Sequence, residues 1–157
     1  MTKTNFVFAY GSNMNPAQMT RRCPSAKFHC VGRLEEHQLR FVGYSGRWNG
    51  GVATVSHRKR SRVLGIVWTV SDDDLERLDG FEGTPQVYAR VPVPVRIDGS
   101  RRNVWCHTYV KVDDDVAHEP SAEYLKAILA GYEWAGVRPA VGLLRLFDKV
   151  KPHAAKS

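Results

Sequence analysis

The stretch "FVFAYGSN", residues 6–13, decides how this chain is read. Phe6, Val7, Phe8 and Ala9 form an apolar run of strand type. It stops at once in Tyr10-Gly11-Ser12-Asn13. A strand that ends this way leaves its last N–H groups without ladder partners, and glycine lets backbone approach a ligand closely. Successive N–H groups in such a turn can form an anion-binding nest. The opening of the chain therefore reads as a buried strand delivering a small polar loop.

Outward from that loop, "NPAQMTRRC" predicts a short helix, with Asn15 as N-cap and Pro16 at the first helical position. "AKFHCVGRL" and "HQLRFVGY" predict two strands. "WNGGVATVS" opens on a glycine-marked turn and continues as a strand, and "RVLGIVWTV" is a further β run rich in Val, Ile and Trp. Ser71 caps a short helix, "DDDLERLD", whose three aspartates complement the positive end of the helix dipole, so we read them as capping residues rather than metal ligands. "VYARVPVPVRI" alternates, with Val87, Ala89, Val91, Val93, Val95 and Ile97 on one face. Its two prolines cannot donate to a ladder, which puts this strand at an edge or a bulge. "NVWCHTYVKV" is its hairpin partner across "IDGSRRN". A helix follows Ser121, from about Ala122 to Ala135, with Tyr124, Ile128 and Tyr132 on one stripe. A last short helix, "AVGLLRLF", follows Pro139. This order is not the regular alternation of a doubly wound fold. It predicts an α+β fold built on a mixed, closed or nearly closed sheet, with residues 1–157 as one domain, a core over about 6–146 and a frayed tail over 149–157.

Composition narrows the function. The chain has 157 residues, 43% apolar and 25% charged, ordinary values for a soluble domain. No apolar run approaches the roughly 18 residues needed to span a membrane, and the N-terminal residues leave no room for a signal peptide before the first strand. The three cysteines, Cys23, Cys30 and Cys106, are odd in number and lack C-x-x-C spacing. They predict reduced thiols in a cytoplasmic protein rather than a disulfide or zinc scaffold. The net charge is +7, and the densest basic run is "HRKRSR", residues 57–62. It reads as a solvated turn between two strands. A basic RNA-binding module is the rival reading, although no aromatics interleave with these charges to stack bases.

Most catalytic patterns are absent. Ser12 is not in G-x-S-x-G, and Cys106 and His107, adjacent on a strand, point to opposite faces. The six histidines lack metal-ligand spacing, and no phosphate-binding glycine motif is present. What remains is the opening loop and "LDGFEG", residues 78–83. Glu82 lies between Phe81 and Gly83. A carboxylate beside an aromatic on a glycine-flanked turn can be partly desolvated, which raises its pKa. Taken alone, the residues leave open whether Glu82 is a catalytic carboxylate or part of an ordinary surface loop.

Taken together, Tyr10-Gly11-Ser12-Asn13, "GGVATV", "GIVWTV" and "LDGFEG" resemble the γ-glutamylcyclotransferase (AIG2-like) family. The likeness continues through "EPSAEYLKAILAGYEWAGV", covering roughly residues 6–146, and "PSAKFHCVGRLEEHQLRF" has the look of the glutathione-pathway members. The resemblance implies a small mixed β-barrel with flanking helices and an enzyme without metal or cofactor. Glu82 would be the general acid/base. Val7, Phe8, Ala9, Tyr10, Gly11, Ser12, Asn13 and Tyr124 would bind the glutamyl group. Tyr88 joins this set, although Val87 stands where several relatives carry glycine. The implied reaction is attack of a substrate's α-amine on its own γ-carbonyl, giving 5-oxoproline and a free amine. The implied partner is a small γ-glutamyl amino acid or peptide, with no nucleic acid and no membrane, and a homodimer is the implied assembly. Alternatives within the class are γ-glutamylamines of the ε-lysine type or a biosynthetic intermediate. A non-catalytic binding module would be marked by loss of the glutamate, and Glu82 is present.

Overall fold

A computed structural model describes residues 3–113 and 116–152. The opening run forms β1 (Thr4–Ala9). A single 3₁₀ turn, Ser12–Met14, follows, and α1 (Pro16–Arg22) begins where the Asn15 side chain accepts from the Ala17 N–H at 3.0 Å. β2 (Lys27–Ser45) and β3 (Gly50–Ser71) come next, then α2 (Asp72–Glu82). β4 (Tyr88–Ile97) and β5 (Asn103–Lys111) form the second hairpin, and α3 (Ala122–Ala135) and α4 (Val141–Val150) complete the order.

The five strands close a barrel in the order β1-β3-β2-β4-β5. β1 runs antiparallel to β3, from Thr4↔Ser71 to Ala9↔Ile66, and parallel to β5 at Val7↔His107, which makes the closed sheet mixed. The expected α+β barrel with flanking helices is what forms. β4 pairs with β5 along its whole length but meets β2 only at Gly32↔Ile97 and Arg33↔Arg96. Pro92 and Pro94 thus sit where most of one strand edge is open, as the missing N–H groups require.

Several expectations need correction. The two strands expected over 26–44 are one strand, β2, and the two expected on either side of the basic run are one strand, β3. The break seen in the sequence is a bulge inside both. Register passes from Glu35↔Arg62 to His37↔His57, so residues 58–61 stand opposite Glu36 alone. Glu36 and Arg60 take positive φ there, and the Arg60 N–H donates to Glu36 Oε2 at 3.1 Å. The basic run is solvated, as expected, but it lies in a strand irregularity rather than a connection. Glu82 is the last residue of α2 rather than a residue beyond its end. Of the tail expected to fray from 149, residues 149 and 150 complete α4, and 153–157 lie outside the described residues.

The core lies inside the barrel and beneath α3. Phe8, Met14, Met19, Leu34, Ile66, Trp68, Leu78, Leu125 and Ile128 are all at most 2% exposed. The Tyr124–Ile128–Tyr132 stripe faces it, and the helix packs so closely on the 3₁₀ turn that Gly131 has no room for a side chain. A Cβ there would lie 2.5 Å from Met14 Cβ and 2.6 Å from the Met14 carbonyl carbon. Among the described residues, no helix is long and apolar enough to cross a membrane.

Candidate active site

One cavity of about 310 Å³ opens between the end of β1, the C-terminus of α2, the β2–β3 connection and the start of β4. All ten residues singled out from the sequence line it: Val7 through Asn13, Glu82, Tyr88 and Tyr124. Arg22, Arg47, Trp48, Ala53, Tyr109 and Lys111 also stand on its wall.

Glu82 reaches the cavity because α2 stops there. Gly83 adopts left-handed φ of +65°, its N–H returning to the Asp79 and Gly80 carbonyls, and the chain turns away. The carboxylate stays at the helix C-terminus, the end with negative partial charge. Its side chain is 15% exposed. Oε1 accepts from Asn13 Nδ2 at 2.8 Å and lies 3.7 Å from Arg22 Nη1. Burial pushes the Glu82 pKa above its ordinary value, and the Arg22 guanidinium, the Asn13 amide and the Arg47 charge pull part of the way back. Of the three, Arg22 acts most strongly.

The Asn13 amide is not free to turn. Its Oδ1 accepts from Gln18 Nε2 at 3.0 Å and from Arg22 Nη1 at 3.1 Å, so its NH₂ must face Glu82. Gln18 Nε2 also donates to Ser12 Oγ at 2.7 Å, and Trp68 Nε1 holds the Asn13 carbonyl at 3.1 Å. Gln18 and Arg22 are four residues apart on α1 and share a face, both buried. Sequence reasoning placed α1 and its cap but missed these two side chains. Their i, i+4 spacing behind an Asn-Pro helix start was the signal available.

The Ser12–Met14 turn begins with N–H groups that have no acceptor within the turn itself. Opposite them, Tyr124 OH accepts from the Ala53 N–H at 2.9 Å, while Tyr88 OH donates to the Ala53 carbonyl at 2.9 Å. The "GGVATV" segment thus contributes one residue, Ala53, whose N–H and carbonyl are each held by a tyrosine. Tyr124 is fixed by its helix start, where its own N–H donates to Ser121 Oγ at 3.2 Å. Tyr10 OH donates to the Tyr109 carbonyl, and Tyr109 OH donates to Asp79 Oδ1 at 2.6 Å. Burial drives the pKa of Tyr10, Tyr88, Tyr109 and Tyr124 above that of ordinary phenol, so all four are neutral hydrogen-bonding groups at physiological pH.

The arrangement can therefore anchor a small polar molecule on neutral donors while one poorly hydrated carboxylate exchanges a proton with it. All three cysteines are free thiols. Burial pushes Cys23 and Cys106 up to about 12, so neither is a thiolate nucleophile. Among the described residues, no group of three His, Cys, Asp or Glu side chains is placed to hold a metal ion.

The family described as γ-glutamyl cyclotransferase, AIG2-like, matches residues 7–134. A γ-glutamylcyclotransferase of Mus musculus is 33% identical over 140 residues, covering 86% of this chain and 73% of that protein. The γ-glutamylcyclotransferase of Homo sapiens is 33% identical over 135 residues, covering 83% and 71%. A solved structure of a γ-glutamyl cyclotransferase superposes with a TM-score of 0.84 at 29% identity, covering 99% of this chain and 92% of that one. The match spans both halves of the cavity, from the loop after β1 to the first turns of α3, and the chain belongs to the γ-glutamyl cyclotransferase, AIG2-like family and is an enzyme of that type.

Proposed function

We propose that this cyclotransferase converts a γ-glutamyl amino acid or short γ-glutamyl peptide into 5-oxoproline and the released amine. The observation that carries this reading is Glu82. It is a carboxylate of raised proton affinity on the wall of a cavity whose floor is lined by neutral tyrosines and backbone, with its geometry set by Asn13 and Arg22. The cavity is at the small end of the roughly 300–1,000 Å³ typical of small-molecule sites.

The substrate's α-amine is largely protonated at neutral pH. Glu82 takes a proton from the ammonium group. The freed nitrogen attacks the γ-carbonyl carbon of the same molecule, forming the bond that closes a five-membered ring. The carbonyl oxygen gains negative charge, which the N–H groups of the Tyr10–Asn13 loop stabilise. Glu82 then returns that proton to the leaving nitrogen as the original amide bond breaks, and the carboxylate so freed takes the surplus proton of the ring nitrogen and passes it to solvent. Nucleophile and electrophile belong to one molecule, so holding the glutamyl group folded supplies most of the entropic advantage. Gly11, Tyr88 and Tyr124 serve that holding role, with Ala53 between the tyrosines. The three unpaired cysteines suit a reducing cytoplasm, and a homodimer is the assembly we propose.

The test is 5-oxoproline release, followed by mass spectrometry, from a γ-glutamyl dipeptide and from its N-acetylated form. The free amine should turn over and the acetylated compound should not, because it lacks a nucleophile. Equal release of amine from both would mean hydrolysis rather than cyclisation.

A further inference from the structure

The rim of the cavity differs from its floor. Tyr10, Ala53 and Tyr124 at the floor are at most 5% exposed, while Tyr44 at the rim is 62% exposed. Two cations line this outer part, on different elements. Arg47, from the β2–β3 connection, lies over the Trp48 ring, its Cζ 5.6 Å from the centroid. Lys111, at the end of β5, lies over the Tyr88 ring, its Nζ 5.7 Å from the centroid. Both rings line the same cavity. Neither cation has an ion-pair partner among the described residues, whereas Arg22, deeper in, is engaged by Glu82 and Asn13. The only carboxylate among the described cavity-lining residues is Glu82. The mouth therefore carries positive charge that no carboxylate among the described residues pairs with.

We infer that Arg47 and Lys111 form a carboxylate-binding pair for the leaving group, which makes the enzyme selective for γ-glutamyl compounds whose released amine is an α-amino acid or peptide. The inference rests on the cyclisation reading. If the glutamyl end occupies the floor beside Glu82, the scissile nitrogen points outward, and whatever it carries must lie at the rim. The carboxylate of an α-amino acid sits two bonds from that nitrogen, close to its protein neighbours. Aromatic support under each cation limits its rotamer freedom without supplying a competing anion. A neutral leaving group gains nothing from the pair, and a leaving group with its own ammonium is repelled by it. The charge of Arg47 also reaches Glu82, consistent with its side chain lying toward the cavity.

The experiment compares three substrates of similar size by 5-oxoproline release: γ-glutamyl-alanine, γ-glutamyl-alaninamide, and the mono-γ-glutamyl derivative of 1,4-diaminobutane. The expected order of kcat/KM is acid, then amide, then cationic amine, with the acid ahead of the amide by about tenfold, or about 1.4 kcal/mol. Arg47→Gln and Lys111→Gln should each shrink the acid-to-amide ratio several-fold, chiefly through KM for the acid, and the double variant should bring it near one. A simple loss of folding would lower both rates together and leave the ratio standing, which would count against the inference. Equal turnover of acid and amide by the unaltered enzyme would overturn it while leaving cyclisation intact. Absence of 5-oxoproline from all three would remove the cyclisation reading, and this inference with it.

Discussion

Glu82 sits at the unfavourable end of its helix, in a place that resists its charge, and one substitution exposes both facts. Glu82→Gln keeps the shape and removes the proton acceptor. We expect kcat to fall by the roughly 10²–10⁴-fold typical of general acid–base catalysis, with the fold retained. The melting temperature carries independent information. The folded-state pKa of Glu82 is raised above its unfolded value, so its favourable contribution is full below the unfolded pKa and is lost as pH rises through the folded pKa. Glutamine has no such term. The difference in Tm, variant minus unaltered enzyme, should therefore grow from pH 4 to pH 8, whatever offset the lost Arg22 contact adds. A well-folded variant within a few-fold of the original kcat would remove Glu82 from the mechanism. A pH-independent Tm difference would mean that its pKa is not raised. The sequence made Glu82 visible as a carboxylate between an aromatic and a glycine. It could not show the Asn13 amide turned toward that carboxylate, because the turn depends on Gln18 and Arg22 arriving from a separate helix.

Among the helices, α3 is the one with a crowded glycine, because its Gly131 lies directly on the backbone of the Ser12–Met14 turn. An added methyl must push either the helix or the loop that lines the cavity. Gly131→Ala should cost about 1–3 kcal/mol, as overpacking does, read as a lower Tm. It should also reduce kcat/KM, since misplacing binding groups by about 1 Å can cost two orders of magnitude. Gly142→Ala in α4 is the control. Nothing lies within 4 Å of the new methyl, and in the first turn of α4 the change should leave Tm unchanged or slightly higher. Equal behaviour of the two variants would contradict the tight packing. The helices were the most legible elements, because three of the four α-helix starts carried a cap: Asn15, Ser71 and Ser121 all accept from backbone N–H groups as their sequence context indicated. The long strands were less legible. A bulge of charged residues inside β3 has the composition of a turn, and only the unbroken ladder on either side reveals one strand.

On the scale of the whole molecule, the barrel is closed unevenly. β3 joins β1 and β2 along extended ladders, while β4 meets β2 at two positions and β1 meets β5 at one. The proline-bearing β4 and its partner carry Tyr88, Tyr109 and Lys111 of the cavity wall. Hydrogen exchange should find the amides of β1 and of β3 around Ile66–Trp68 protected to the level of global unfolding, and those of β4 from Ala89 to Val91 opening at lower free energy. Product added at saturating concentration should slow the latter. Uniform protection around the barrel would show that its seams are as strong as its ladders. The alternating pattern and the prolines announced an edge-like strand, and a mixed, closed or nearly closed sheet was expected; which strands meet at the seam was not legible, because it depends on a parallel contact between strands 100 residues apart, Val7 and His107.

The amide of Asn13 has two ends of opposite polarity, and Gln18 together with Arg22 dictates which one the carboxylate meets. Gln18 is not on the cavity wall, yet it helps set the acidity of the group that would do the chemistry. If Glu82 is the acid–base group and the mouth selects the leaving group, working pH and substrate choice are written in separate places, the first partly in a seven-residue helix behind the pocket and the second around its mouth. An enzyme arranged this way can drift toward a more acidic or more alkaline compartment through its scaffold, leaving the surface it presents to substrate as it was.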